Sequence, residues 1–119
     1  MQKNVLKNYM NKIKYEDILK DKGDLVFIIS TMIPIYQMYE HHTQVLECNQ
    51  WLMMLERRPI QTEYTSDALI VLKNIMNDGA NYLCAVENRW DDGKLAMILM
   101  NKIIGLFNTN KNGTEREID

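Results

Sequence analysis

Cysteine is scarce in this chain: Cys48 and Cys84 are the only two among 119 residues. Small secreted domains that depend on disulfides carry more cysteines than this. Both cysteines have apolar neighbours within helical patterns, so we predict buried free thiols rather than a disulfide. Residues 1–22 are polar and rich in lysine, without the apolar segment of a signal peptide. Together these features predict an intracellular, cytoplasmic protein.

Long apolar runs and an excess of one charge are also missing. The most apolar segment, residues 25–36, is shorter than the ~20 residues that a membrane-spanning helix needs. The chain has 14 Lys and Arg against 16 Asp and Glu, for a net charge of −2. Such a balance gives no general attraction to nucleic acids or acidic membranes. We therefore expect a soluble protein that makes no membrane contact.

Histidine is limited to two neighbouring residues, which restricts metal and catalytic sites. The acidic and sulfur-containing residues around them form one cluster: Glu40, His41, His42, Glu47 and Cys48. This cluster lacks the Glu-x-x-His spacing of di-iron bundles. A zinc site would need further nitrogen or sulfur ligands, and Cys84 is the only other His or Cys in the chain. The five glycines form no phosphate-binding loop, and no Cys–His spacing favours catalysis. We predict no metal, no cofactor and no catalytic residue.

The strongest pattern in the sequence runs from Asp67 to Trp90. Its apolar positions alternate in steps of three and four: Leu69, Leu72, Met76, Gly79, Leu83, Val86 and Trp90. This is the period of one helical face and predicts a single helix of roughly 36 Å. Thr65 or Ser66 is suited to the N-cap, and Asp91-Asp92-Gly93 has the composition of a closing turn.

Gly79 stands on the apolar face of this helix, where glycine costs about 1 kcal/mol relative to alanine. Close approach of another helix backbone would explain it. A break at residues 77–79 into two shorter helices is the alternative. The sequence leaves both open.

Helical spacing recurs elsewhere in the chain. Residues 5–13 predict an amphipathic helix with a basic face, and residues 15–19 either extend it or begin a second short turn. Gly23 is suited to end this segment, with Asp24 capping the next helix. Residues 25–53 predict helix rather than strand, because no second strand-like run is present to pair with them. That helix either bends at Pro34 or breaks near His41 and His42.

The last helix is predicted over Lys94–Phe107 and is apolar nearly all round. We therefore predict an all-α, single-domain bundle of four to six helices over residues 1–107. Residues 67–90 and 94–107 form an antiparallel hairpin at its centre. Residues 108–119 have almost no apolar content and predict a disordered polar tail.

Protein binding is the function class that the composition favours. The last helix carries more apolar surface than a core of this size can cover, and nine methionines add adaptable side chains. Tryptophan can anchor such a surface, and Trp51 and Trp90 are both candidates. The predicted partner-binding residues are Trp51, Met53, Met54, Met97, Met100, Ile104 and Phe107. We expect a non-enzymatic regulatory protein that binds another protein, most simply as a homodimer through its last helix.

Nucleic-acid binding is the alternative function. Lysines recur in the N-terminal segment, and Lys3, Lys7 and Lys14 would supply its phosphate contacts. Acidic residues in the same segment reduce its positive charge. An ordinary solvated helix face explains the same lysines.

One short motif resembles a known family. Asp78-Gly79-Ala80-Asn81-Tyr82 is similar to the Asp-Gly-x-Asn-Trp-Gly-Arg signature of Bcl-2-like proteins, which opens a central helix in an all-α fold. The resemblance implies an all-α fold and a groove for a partner helix. Leu83 and Cys84 replace the glycine and arginine of the signature, and that arginine pairs with an aspartate of the bound helix. No binding residue is therefore assigned from the resemblance.

Overall fold

A computed structural model describes residues 13–14, 18, 20–57 and 63–118, with side chains described for residues 18, 20–57 and 64–108. The helices are α1 (Lys22–Met38), α2 (His42–Glu56), α3 (Ser66–Ala85) and α4 (Trp90–Ile118), and two-residue strands are β1 (Ile13–Lys14) and β2 (Glu63–Tyr64). The predicted all-α bundle is confirmed, with four helices in the described ranges. None of these helices is long and apolar enough to cross a bilayer.

The two short strands bring residues before α1 together with residues between α2 and α3. They pair antiparallel, with Ile13 opposite Tyr64 and Lys14 opposite Glu63. The predicted helix over residues 5–13 is wrong at Ile13, and the rest of it lies outside the described residues. Helical spacing within one segment contains no information about a pairing partner fifty residues away, which decides the backbone here.

The prediction of helix over residues 25–36 is confirmed by α1. Gly23 and Asp24 were predicted to separate two helices, but both lie inside the first turn of α1. The helix begins earlier because the Leu25 N–H already donates to the Asp21 carbonyl at 2.8 Å. Pro34 also lies within the helix, which continues to Met38.

The chain breaks between α1 and α2, near His41 as one of the two alternatives predicted. Glu40 adopts a left-handed conformation with φ of 58°, which reverses the chain direction. The N–H of Glu40 donates to the Gln37 carbonyl, and that of His41 to the Tyr36 carbonyl at 2.9 Å. These bonds satisfy carbonyls that the end of a helix leaves without partners.

The prediction of one helix over Asp67–Trp90 is right for most of its length and wrong at its end. α3 ends at Ala85, the next two N–H groups both donate to the Tyr82 carbonyl, and Asn88 is left-handed with φ of 56°. Trp90 is the first residue of α4. Apolar spacing misses this turn because steps of three and four continue across it. At the other end, Thr65 caps α3 as predicted, since its Oγ1 accepts from the Ala68 N–H.

The prediction that Asp91-Asp92-Gly93 closes a helix is wrong, because these residues lie in the first turns of α4. Acidic residues are stabilised there by the positive end of the helix dipole. Arg89 reinforces the start, donating from Nε to Asp92 Oδ2 at 2.8 Å. The turn between α3 and α4 therefore comprises residues 86–89.

Gly79 allows close packing, and no break occurs there. A Cβ on Gly79 would lie 3.3 Å from Ile28 Cγ2 of α1 and 3.4 Å from Ala96 Cβ of α4. The alternative of a break is therefore wrong, and the atoms that approach Gly79 belong to side chains of α1 and α4 rather than to a helix backbone. Gly79 thus lies where α3 packs against both α1 and α4.

The core draws on all four helices. Its buried residues include Leu25, Ile28, Ile29 and Met32 of α1, Cys48, Trp51 and Leu55 of α2, Leu69, Leu72, Met76 and Leu83 of α3, and Ala96, Leu99 and Ile103 of α4. The α3 members of the predicted apolar face are thus buried, whereas Val86 and Trp90 are exposed.

The backbone of α4 continues beyond its predicted end at Phe107 to Ile118. Residues 108–118 contain no proline, so nothing in their covalent structure stops a helix. Side chains beyond Asn108 lie outside the described part, and the polar tail predicted for residues 108–119 stays a prediction about the chain in solution.

Candidate functional site

The end of α1 and the second half of α3 enclose a surface groove, which we call the tyrosine groove. Its volume is about 460 Å³, within the range of small-ligand sites. Its lining residues are Met32, Ile35, Tyr36, Tyr39, His41, Asp78, Asn81, Tyr82, Ala85 and Val86. Apolar side chains therefore form most of a site in which a few polar groups converge.

A buried tyrosine fixes the carboxylate in this groove. Tyr36 lies on the core side of α1, and its hydroxyl donates to Asp78 Oδ2 of α3 at 2.7 Å. Burial and this hydrogen bond raise the pKa of Tyr36 well above its usual value, since a tyrosinate beside Asp78 would be desolvated and repelled. The hydroxyl therefore remains a donor, and Asp78 is held facing the groove.

The rim of the groove is aromatic. Tyr39 and Tyr82 meet edge to face with ring centroids 5.7 Å apart, and their hydroxyl oxygens lie 3.2 Å apart. The His41 ring lies 6.1 Å from that of Tyr36 and 6.3 Å from that of Tyr39. The hydrogen bond with Tyr39 raises the pKa of Tyr82 to about 12. Tyr82 therefore keeps its hydroxyl proton at neutral pH. Tyr39 and His41 flank the left-handed Glu40 in the turn after α1.

Cys48 lies in the core beneath α1 and α3 as a free thiol. Burial raises its pKa to about 12, with smaller contributions from Glu47 and Asp78. A thiol rather than a thiolate is a poor nucleophile, which argues against a Cys–His pair here. Cys84 is also free and is half-buried. No group of three His, Cys, Asp or Glu residues in the described ranges is placed to hold a metal ion.

These shifts predict a loss of stability at high pH. Above about pH 9 the unfolded chain loses the Cys48 proton, whereas the folded protein keeps it up to about pH 12. The unfolded state then binds fewer protons, so the free energy of unfolding falls as pH rises, by up to about 1.4 kcal/mol per pH unit for this one group. Urea unfolding at about pH 8 and about pH 10.5 measures the difference.

Alanine variants separate Cys48 from other groups that titrate in this range. Cys48→Ala is expected to flatten the decline above about pH 9, whereas Cys84→Ala should retain it. An unchanged slope in Cys48→Ala would contradict the assignment.

A second surface lies on α4, which leaves one side uncovered. The α4 face comprises Trp90, Met97, Ile98 and Ile104, which are 58%, 45%, 51% and 36% exposed. Trp90, Met97 and Ile104 follow one another at seven-residue intervals, so they lie in one row along the helix. Lys94 and Asn101 are also exposed and stand between them.

The predicted partner-binding residues do not form one surface. Met97 and Ile104 belong to the α4 face, while Met100 and Phe107 are half-buried and pack against the core. The other three lie on α2, which packs on α1 and, less extensively, on α3.

Trp51 is a core residue, so its prediction as a surface anchor is corrected. It is 1% exposed, its ring centroid lies 4.8 Å from that of Tyr64, and its Nε1 donates to the Ala68 carbonyl at 3.1 Å. Among its neighbours on α2, Met53 is exposed and Met54 is half-buried. Helical spacing places Trp51 on an apolar face without saying whether another helix covers it.

Lys14 is the one predicted phosphate-binding lysine within the part of the chain that the structure describes. Lys3 and Lys7 lie outside the described residues. Lys14 lies in β1, where only the backbone is described.

Sequence reasoning missed the tyrosine groove. Its polar pair, Tyr36 and Asp78, is 42 residues apart in the chain. Asp78 opens the short motif Asp78-Gly79-Ala80-Asn81-Tyr82, but that motif does not indicate Tyr36 as its partner. The one signal was the close spacing of Tyr36, Tyr39 and His41 at the end of a predicted helix.

No family model, curated protein or solved structure matches the chain. The short resemblance to Bcl-2-like proteins therefore gains no support from these comparisons.

Proposed function

We propose that this protein is a non-enzymatic regulator that acts by binding protein, and that it pairs with a second copy of itself through the α4 face. The supporting observation is the row of exposed apolar side chains at seven-residue intervals on one helix. Monomeric proteins often expose single apolar residues, whereas several on one helix at a repeating interval favour a contact surface.

The α4 face is complementary to itself when two copies run antiparallel. A two-fold axis at Met97 sets the two Met97 side chains against each other and Trp90 of one copy against Ile104 of the other. Lys94 then faces Asn101, so the pairing brings no like charges together. Gly105, beside Ile104, has open space above it where the partner's tryptophan ring can lie.

In this proposal, the predicted C-terminal hairpin of α3 and α4 holds the α4 face in place. What supports a rigid scaffold is the close packing at Gly79 and at Gly93, where neighbouring atoms leave little room for a side chain. The two free cysteines support the predicted location in the reducing cytoplasm.

The pairing is expected to be weak. Four half-exposed side chains per copy contribute about 1 kcal/mol each, and association itself costs several kcal/mol. We expect a dissociation constant of about 0.1 mM. The regulator would therefore exchange between monomer and dimer as its concentration changes.

Sedimentation equilibrium tests the interface. The mass of the wild-type protein should rise from 14.1 kDa towards twice that value between about 10 μM and about 1 mM. Met97→Glu should remain monomeric, because pairing would bury two like charges against each other. Its melting temperature should be unchanged, since Met97 is exposed.

Leu46→Glu is the matched control. Leu46 is 64% exposed on α2, away from the α4 face, so this variant should associate as the wild type does. A wild-type protein that stays monomeric over the whole range would contradict the proposal. Equal association of Met97→Glu and wild type would also contradict it.

A further inference from the structure

The tyrosine groove has a charge as well as a shape. Asp78 is a half-buried carboxylate among its lining residues, and none of the ten lining residues is Lys or Arg. No Lys or Arg of the groove therefore neutralises the carboxylate. Low-dielectric walls concentrate such a field, which attracts a positively charged group.

The geometry around Asp78 leaves it able to accept further hydrogen bonds. Tyr36 occupies one site on Oδ2 at 2.7 Å, whereas an ionised carboxylate has about four acceptor sites. A guanidinium group donates through a planar fork that matches a carboxylate, and its faces stack on aromatic rings. Tyr39, Tyr82 and His41 supply such rings within the same groove.

We propose that the tyrosine groove binds an arginine side chain presented by a partner protein. Its guanidinium donates to Asp78 and lies against the tyrosine rings. Its methylene stem and the neighbouring apolar residues of the partner contact Ile35, Ala85 and Val86. Tyr36 acts as a positioning residue that holds the carboxylate in place.

This site is independent of the proposed pairing through α4. All of its residues come from α1, the turn after α1, α3 and the residue after α3. Failure of one proposal therefore leaves the other standing. Met97→Glu should bind an arginine probe as the wild type does.

Two isosteric probes test the chemistry on the unmodified protein. We would titrate the ¹⁵N-labelled full chain with Nα-acetyl-arginine methylamide and, separately, with its citrulline counterpart, which has the same shape and no charge. The arginine probe should give saturable shifts of the Tyr39, Asn81 and Ala85 amides, with a dissociation constant of about 1–10 mM. The citrulline probe should bind at least about tenfold more weakly.

Asp78→Asn provides the matching test in the protein, because asparagine keeps an acceptor for Tyr36 and removes the charge. Binding of the arginine probe should weaken at least about tenfold. Asp67→Asn, on the same helix outside the groove, should leave it unchanged. Should Asp78→Asn fail to fold, the two probes on wild type still decide the question.

Equal binding of the two probes to wild type would overturn the proposal, as would the absence of saturable shifts at the three groove amides. An Asp78→Asn variant that binds the arginine probe as tightly as wild type would overturn it too.

Discussion

Gly93→Ala is expected to lower the free energy of unfolding by about 2–3 kcal/mol. A Cβ at this position would overlap the Cys84 Sγ and would lie 3.1 Å from Cys84 N and 3.3 Å from the Ala80 carbonyl oxygen. The thiol can rotate away, but the two backbone atoms can move only if α3 and α4 separate. The gain in helix propensity, about 1 kcal/mol, offsets only part of this cost. Urea unfolding measures the change.

Two further variants identify the cause. Gly23→Ala should stabilise the protein by about 0.5–1 kcal/mol, because a Cβ there has no neighbour within 4 Å. Combining Gly93→Ala with Cys84→Ala should recover part of the lost free energy of unfolding. The second substitution removes the sulfur, but the overlap with the backbone atoms remains. A Gly93→Ala variant as stable as wild type would show that the two helices are not in contact there.

Trp51→Ala is expected to destabilise the protein by about 4 kcal/mol. The substitution empties a site that is 1% exposed, removes the ring that packs on Tyr64, and leaves the Ala68 carbonyl without its Nε1 donor. Chemical unfolding at neutral pH gives the value. The effect should be on stability rather than on association, because Trp51 is not at the surface.

Trp90→Ala is the matched control, as the other tryptophan of the chain. Trp90 is 58% exposed, so its removal should change the free energy of unfolding by less than about 0.5 kcal/mol. It should weaken self-association instead. Similar unfolding free energies for the two variants would contradict the assignment of Trp51 to the core and Trp90 to the surface.

Local interactions made parts of this fold predictable. Thr65 caps α3 through a contact with a residue three positions away, so the cap is visible in the local sequence. The burial of Leu72 and Leu83 was predictable because the order of residues along one helix is enough to define its apolar face. Gly79 was informative because glycine within a helix is unfavourable unless packing requires it.

Features that depend on distant segments could not be predicted. Residues 86–89 reverse the chain while the apolar spacing runs on, because Leu83 and Trp90 keep the seven-residue interval across the turn. Gly93 follows two aspartates and so has the composition of a turn, yet it lies in α4, where Cys84 of α3 comes too close to leave room for a side chain.

The candidate sites show the same limit. Spacing identified Met97 and Ile104 as apolar residues of the last helix, and the structure leaves them exposed. Spacing also placed Trp51 on an apolar face, but a neighbouring segment covers it. The groove depends on which faces of α1 and α3 meet, so Tyr36 and Asp78 gave no signal as a pair.

The most direct test of self-association follows the indole N–H resonances of the two tryptophans as the protein is concentrated. Between about 50 μM and about 1 mM, the Trp90 resonance should shift progressively as the α4 faces pair, while that of buried Trp51 stays in place. In Met97→Glu neither resonance should move. A Trp90 resonance that is independent of concentration in the wild-type protein would contradict pairing through α4.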